Sequence, residues 1–312
     1  MRLVSIVVGV SVCATSFTYA DKPKTDAVPV AKADAPKDDK PKAPEPTLTA
    51  LTNDPVLGKA SRIEGEETHG VVAFTFDDGP NPETTPAVID ALEKYDIPAT
   101  FFIVTQRLGK HNIKSRDVLA RELAEGFLVG SHSVTHANLK KAAGDTITKE
   151  IDQSFRTLSK EAGRPIGMFR PPYGALSGAG RQRLKQLGVT EVIWSVDTLD
   201  WKAHDAAKLR KKVITMIEKQ NGGVVLMHDV KPITAKIIAD VLDDLEAENC
   251  ARLADKKDPI YPVSLHYFLR DGKTPRAVPA EAQKRTDAYK AALPGRCSKR
   301  PAAPTPAVVP KK

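Results

Sequence analysis

Between residues 71 and 269 short apolar runs alternate with stretches whose apolar residues recur at helical spacing. No other feature constrains the fold as strongly. Residues 71–76 form a continuous apolar run broken only by Thr75, as expected of a strand buried on both faces. Residues 99–104, 127–130, 167–170, 189–195, 223–227 and 262–269 read as further strands. Between them lie helical patterns: Val88, Leu92 and Tyr95 behind Pro86, then Val118, Leu119 and Leu123 capped by Ser115 and ended by Gly126. Ile147, Ile151, Phe155 and Leu158 mark another, stopping at Gly163. A helix runs to Gly188, and two more carry Leu209, Val213, Met216 and Ile217, then Ile233, Ile237, Val241 and Leu245. Strand–helix alternation with short connections predicts an α/β fold of about seven parallel strands, one unit short of a full barrel. In such folds a site forms at the C-terminal ends of the strands.

The ends of the chain read differently. Met1-Arg2, an apolar run over residues 3–12 and a small-residue cleavage site at Thr18-Tyr19-Ala20 predict a signal peptide over residues 1–20. A membrane helix is the poorer reading, because Ser11, Thr15, Ser16 and Thr18 interrupt the run. The mature protein is then expected outside the cytoplasm, secreted or periplasmic. Residues 21–62 are rich in Pro, Lys, Asp and Ala and predict a disordered linker. The catalytic domain is expected over 63–271 and a basic, Pro-rich extension over 272–312, with a helix possible at 280–292. Residues 271–312 carry a net +7 of the chain's formal +8. This charge suits docking on an anionic envelope surface, or simply a solvated tail. Nucleic acid is disfavoured, since no aromatic residues interleave with these charges. Cys250 and Cys297 suit one disulfide in an oxidising compartment, the alternative being two free thiols.

Five short segments sit where predicted strands end: Thr75-Phe76-Asp77-Asp78-Gly79-Pro80, Ser131-His132-Ser133-Val134-Thr135-His136, Arg170-Pro171-Pro172-Tyr173-Gly174, Asp197-Thr198-Leu199-Asp200-Trp201 and Leu226-Met227-His228-Asp229. His132 and His136 are four apart, so one helical turn would put both imidazoles on one side. With Asp78 they make a two-His, one-carboxylate set suited to a divalent metal, zinc first and cobalt as an alternative. A cation there lowers the pKa of a water ligand towards ~7. Asp77 is the candidate base for that water, and Arg170 the candidate partner holding Asp77 ionised. His228 is the candidate acid for the leaving nitrogen, with Asp200 holding the imidazole and raising its pKa. Trp201 reads equally well as core filler. Asp-Gly-Pro is good turn chemistry, but a turn does not explain two adjacent carboxylates after a buried strand.

These segments resemble the five motifs of the polysaccharide deacetylases, the NodB-homology group or carbohydrate esterase family 4, over roughly residues 69–270. The resemblance implies a distorted (β/α) barrel. It implies Asp77 as base, Asp78, His132 and His136 as metal ligands, and Arg170 as the residue orienting the base. It also implies an oxyanion donor at the Tyr173 backbone, Asp200 tuning the acid His228, Trp201 walling the groove and Leu226 against the acetyl methyl. The expected activity is metal-dependent removal of N-acetyl groups from a polymer containing N-acetylglucosamine or N-acetylmuramic acid, with peptidoglycan the first choice. Chitin oligomers, O-acetylated xylan, small cyclic amides and a non-catalytic glycan-binding role are the alternatives.

Overall fold

The computed structural model describes residues 46–300. The expected leader and the first part of the expected linker lie outside the described residues, as do residues 301–312.

Eight strands form one all-parallel sheet: β1 (Val71–Asp77), β2 (Ala99–Ile103), β3 (Leu128–Ser131), β4 (Met168–Phe169), β5 (Thr190–Glu191), β6 (Val196–Asp197), β7 (Gly222–His228) and β8 (Tyr261–Pro262). Seven lie in the order β5-β4-β3-β2-β1-β7-β6, and β8 pairs with the first residues of β1. The fold is thus a distorted (β/α) barrel. Its curvature follows from the chain itself. The sheet's two edges, β5 and β6, are separated by only residues 192–195, a span of at most ~18 Å from Glu191 to Val196. Ile63 pairs beside Val192, and the Ser195 hydroxyl donates to the Gly65 carbonyl at 2.9 Å, so residues 63–65 fill the seam. The sequence predicted one strand over 189–195. The structure has two short ones on opposite edges, because the chain crosses the seam there.

Val72, Phe74 and Phe76 are buried in β1, as are Val224, Val225 and Met227 in β7. Helices Thr85–Lys94, Ile113–Ala124, Gln153–Ala162, Gly178–Leu187, Ala206–Gln220 and Pro232–Ala254 cover the outside. Local chemistry sets their ends. Ser177 and Asp205 accept from the third residue of the helix each precedes, and Gly163, Gly188 and Asn221 take left-handed conformations at helix C-termini. The helix expected to be capped by Ser115 starts earlier, at Ile113 after Asn112.

At the ends, the expectation of a disordered linker is revised, while the helix expected at 280–292 and the Cys250–Cys297 disulfide are present, the helix being longer. Within the expected linker, Leu48–Thr52 is a helix with Leu48 buried, and the Thr52 hydroxyl donates to the Leu187 carbonyl at 2.9 Å. A composition that reads as linker still docks where one leucine and one hydroxyl find partners. Within the expected extension, Ala280–Lys299 is a helix tied to Pro232–Ala254 by a Cys250–Cys297 disulfide. Tyr289 and Leu293 are buried beneath it. Arg276, Lys284, Arg285, Arg296 and Arg300 pair with Asp271, Glu281, Glu125, Glu246 and Asp243, which commits half of the ten basic residues counted over 271–312.

Candidate active site

Asp77 and His228 are the last residues of β1 and β7, and they face each other in the parallel register. His132 follows β3, Arg170 follows β4, and Asp200 lies three residues past β6. All ten sequence-predicted site residues therefore gather at the C-terminal end of the sheet, or in the loops leaving it. The larger cavity, about 930 Å³, lies at the opposite end of the strands, beneath Ala99, Phe127 and Leu128. It contains none of these residues.

The ligand atoms of Asp78, His132 and His136 all lie within 4.8 Å of one another. The Asp78 Oδ1 is 3.3 Å from the His136 Nε2 and 3.7 Å from the His132 Nε2. Tetrahedral ligands ~2.0–2.1 Å from one ion would be ~3.3 Å apart, so the cluster fits a small divalent cation. Two further observations support the fit. The Asp78 Oδ1 is buried with no hydrogen-bond partner. The His132 Nδ1 lies 2.6 Å from the Arg170 carbonyl, which can only accept, so the proton is on Nδ1 and the Nε2 lone pair faces the cluster. Burial pushes the His132 imidazolium down to about 3 against the pull of Asp78, keeping the ring neutral.

The two histidines do not share a helical turn. They sit on a loop whose Ser133 and His136 have φ of 68° and 62°. Loop geometry, not helical spacing, brings the two rings together. Glu150 holds the loop instead: its Oε2 accepts from the amides of Val134 and Thr135 at 3.1 and 2.9 Å, and its Oε1 from the Thr135 hydroxyl at 2.8 Å. Glu150 itself sits in a π turn, Thr148–Asp152, inside the long helical stretch. Nothing in the sequence marked it, because a lone Glu in an amphipathic helix looks like a solvated residue. Asp78, Tyr173 and Leu199 also have positive φ, so five of the nine non-glycine cases among the described residues lie in the five segments. Such strain persists only where the surroundings over-determine it, as at functional sites.

Arg170 is fully buried inside the barrel. Its Nη1 donates to the Asp77 Oδ1 at 2.8 Å and to the Thr75 hydroxyl at 2.7 Å, and its Nη2 to the Ile193 carbonyl at 3.1 Å. The guanidinium lies 4.1 Å from the Phe102 ring centre. The pairing fixes the Asp77 carboxylate with its Oδ2 towards the cluster, 3.6 Å from the His132 Nε2. Burial nevertheless raises the Asp77 pKa, with Arg170 and His228 opposing it. A raised pKa makes the carboxylate a stronger base. The Thr75 hydroxyl, which accepts from Arg170, donates to the Val225 carbonyl at 2.6 Å, a positioning role that nothing in its segment's sequence signals.

On the other side, the His228 Nδ1 is 2.7 Å from the Asp200 Oδ1. The Asp200 Oδ2 accepts from the His228 amide at 2.7 Å and from the Thr234 hydroxyl at 2.5 Å. Burial acts to lower the His228 pKa, but the hydrogen bond and charge of Asp200, with Asp77 and Asp78 beyond, raise it to about 9. Next in the chain, burial and the nearby Asp78 push Asp229 up to about 7, against a hydrogen bond from Thr85 and the charge of Arg107. A Cβ on Gly79 would collide with the buried Asp229 carboxylate and force it to shift.

Leu226 is buried on the same face of β7 as His228, two residues earlier. Tyr173 and Trp201 are 65% and 53% exposed, and the Tyr173 and His136 rings pack edge-to-face with their centres 4.7 Å apart. Trp201 is therefore not core filler. The arrangement combines a cation site, a carboxylate aimed at it, an imidazolium opposite and two exposed aromatic rings, which suits hydrolysis of an uncharged acyl group on a sugar.

Comparison with known proteins follows the same line. A family model for polysaccharide deacetylase matches residues 64–192. The chain is 35% identical over 190 residues to the peptidoglycan-N-acetylglucosamine deacetylase of Listeria monocytogenes, spanning 61% of this chain but only 39% of that protein. It is 32% identical over 187 residues to the chitooligosaccharide deacetylase of Azorhizobium caulinodans, covering 60% of this chain and 85% of that one. Among solved structures, the Bc1960 peptidoglycan N-acetylglucosamine deacetylase in complex with an N-hydroxybenzamide ligand superposes with a TM-score of 0.54 at 29% identity, over 61% of this chain and 87% of that chain.

Proposed function

This chain belongs to the polysaccharide deacetylase family, and on that premise we propose that it removes N-acetyl groups from the amino sugars of peptidoglycan, outside the cytoplasm. The observation that carries the reading is the placement of Asp77 and His228 on neighbouring strands at one level, with the Asp77 carboxylate beside the Asp78–His132–His136 cluster. A divalent cation held by those three residues, zinc before cobalt, would supply Lewis acidity to an incoming water and to the acetyl carbonyl.

The chain's own residues do the rest. Asp77, held by Arg170 through Oδ1, takes the water's proton on Oδ2 as the oxygen bonds to the carbonyl carbon. The Tyr173 backbone amide, presented by a left-handed turn, faces the developing oxyanion. Leu226 packs on the acetyl methyl, and Trp201 walls the sugar. His228, charged because Asp200 accepts from its Nδ1, gives the proton on Nε2 to the sugar nitrogen as the carbon–nitrogen bond breaks. Acetate and a free amine result. The export of the protein rests on the leader-like composition of residues 1–20.

The test is acetate release from peptidoglycan, chitin oligomers and acetylated xylan by the purified protein, before and after chelation. Release from peptidoglycan that stops with a chelator and returns with zinc or cobalt is the expected result. Undiminished release from the metal-stripped protein would remove the cation from the reaction. Release from xylan alone would change the substrate.

A further inference from the structure

Beside the cluster lies a cleft of about 440 Å³ lined by Asp78, His136, Thr135, Val104, Gln106 and Arg107. Arg107 is its one cationic side chain. It lies in the 3-10 turn Thr105–Leu108 at the end of β2. Its Nε is buried with no hydrogen-bond partner, and among the described residues no carboxylate lies within ion-pairing distance of it. The carboxylates beside it have other partners. Asp77 has Arg170, Asp200 has His228, and Asp78 belongs to the cation cluster. Asp229, on which the charge of Arg107 also acts, accepts from Thr85, so none of these carboxylates forms an ion pair or hydrogen bond with the Arg107 guanidinium.

The surrounding chain has the same sign. Residues 97–116 contain Arg107, Lys110, Lys114 and Arg116 and no acid, and only Arg116 is paired, with Glu161. The loop after the cluster adds exposed Lys140 and Lys141 and no acid before Asp145. By contrast the loop on the Trp201 side is mixed, with Lys202, His204 and Asp205. A partly buried, unpaired guanidinium in a cleft, behind a lip of unopposed lysines, is a receptor for an anion fixed at one place on the substrate.

We propose that Arg107 is a specificity-determining residue that pairs with a carboxylate carried by the glycan beside the sugar undergoing deacetylation. The substrate class is then an acidic amino-sugar polymer and not neutral chitin. The inference rests on the hydrolase reading above and deepens it. Two sources offer the same chemistry: a carboxylate on an ether substituent of the sugar, as in muramic acid, or the carboxylates of an attached peptide. Neutral oligomers would bind without engaging Arg107 and would leave its charge partly desolvated, which disfavours them.

The experiment compares the full chain with R107Q on four substrates: neutral N-acetylglucosamine oligomers, peptide-free glycan bearing muramic acid carboxylates, the same glycan with those carboxylates amidated, and peptide-bearing peptidoglycan. The expected result is that R107Q lowers the ratio of kcat/KM on carboxylate-bearing glycan to kcat/KM on neutral oligomers by ~10–100-fold, chiefly through KM. Amidation should lower the ratio similarly with the unaltered protein, which keeps the test independent of how R107Q folds. A loss confined to the peptide-bearing polymer would support the pairing and place the carboxylate on the peptide. An unchanged ratio in both comparisons would overturn it. No acetate from any of the four with the unaltered protein would instead overturn the hydrolase reading, and this inference with it.

Discussion

Asp200→Asn tests the acid side of the site most sharply. In the native site both Asp200 oxygens are used: Oδ1 by the His228 ring, Oδ2 by the His228 amide and the Thr234 hydroxyl. The substituted side chain can keep its oxygen on the amide and the hydroxyl, so the backbone has no reason to move. Its NH2 then meets the His228 Nδ1, which must become an acceptor. The native pKa of about 9 combines burial, which lowers it, with the larger pull of Asp200 and its neighbours. Without the Asp200 charge and hydrogen bond, burial dominates and the pKa falls below the ordinary 6.5. At pH 8 the protonated fraction drops from ~90% to under ~3%, so turnover through this acid falls by at least ~30-fold, and the gap narrows towards pH 6. A bound cation repels the imidazolium and moves the alkaline limb down in both proteins, so the separation of the two limbs is the quantity to read. The assay is kcat for acetate release from pH 5 to 10 in both proteins. An alkaline limb that stays put in the variant, with activity lost equally at every pH, would refute the assignment of that limb to His228.

Three further outcomes follow from the same geometry. Glu150→Gln removes the charge from the group that holds the His136 loop, so zinc affinity measured by competition with a chelating dye should weaken ~10–100-fold, and unaltered affinity would show that the loop holds itself. Arg170→Ala leaves Asp77 buried without its partner, which should cost about 3–5 kcal/mol in a urea titration of the metal-free protein, and a change under 1 kcal/mol would mean Asp77 is not charged there. Cys297→Ser opens a link spanning 47 residues and should lower stability by about 2–4 kcal/mol with little effect on acetate release at 25 °C, whereas lost activity in a folded variant would tie the C-terminal helix to the site.

The legible parts of this protein are those where one residue type has one physical reason to be where it is. The apolar run of β1 permits only a strand buried on both faces, and Asp77-Asp78 after it demands compensating cations. Other parts were misread for equally specific reasons. Residues 189–195 have strand composition throughout, yet within them only Thr190–Glu191 joins the sheet as a strand and Val192 makes a single bridge, the next strand starting beyond the run at Val196. The composition of residues 46–62 suggested no core, although Leu48 is buried. The His132–His136 spacing suggested a helix, but a loop held by Glu150 places the rings.

By itself, then, the sequence determined the alternation of strand and helix and the identity of the polar groups proposed to carry the chemistry. Both depend on short-range pattern: the burial of neighbouring side chains and the kinds of atom a residue can offer. The tertiary structure decided which of those groups meet. Parallel register sets Asp77 level with His228, curvature brings Arg170 under Asp77, and a buried Glu150 draws in His136. It also left Arg107 unpaired beside them. None of these relations is local in the chain, because each depends on how strands far apart in sequence align when the sheet closes.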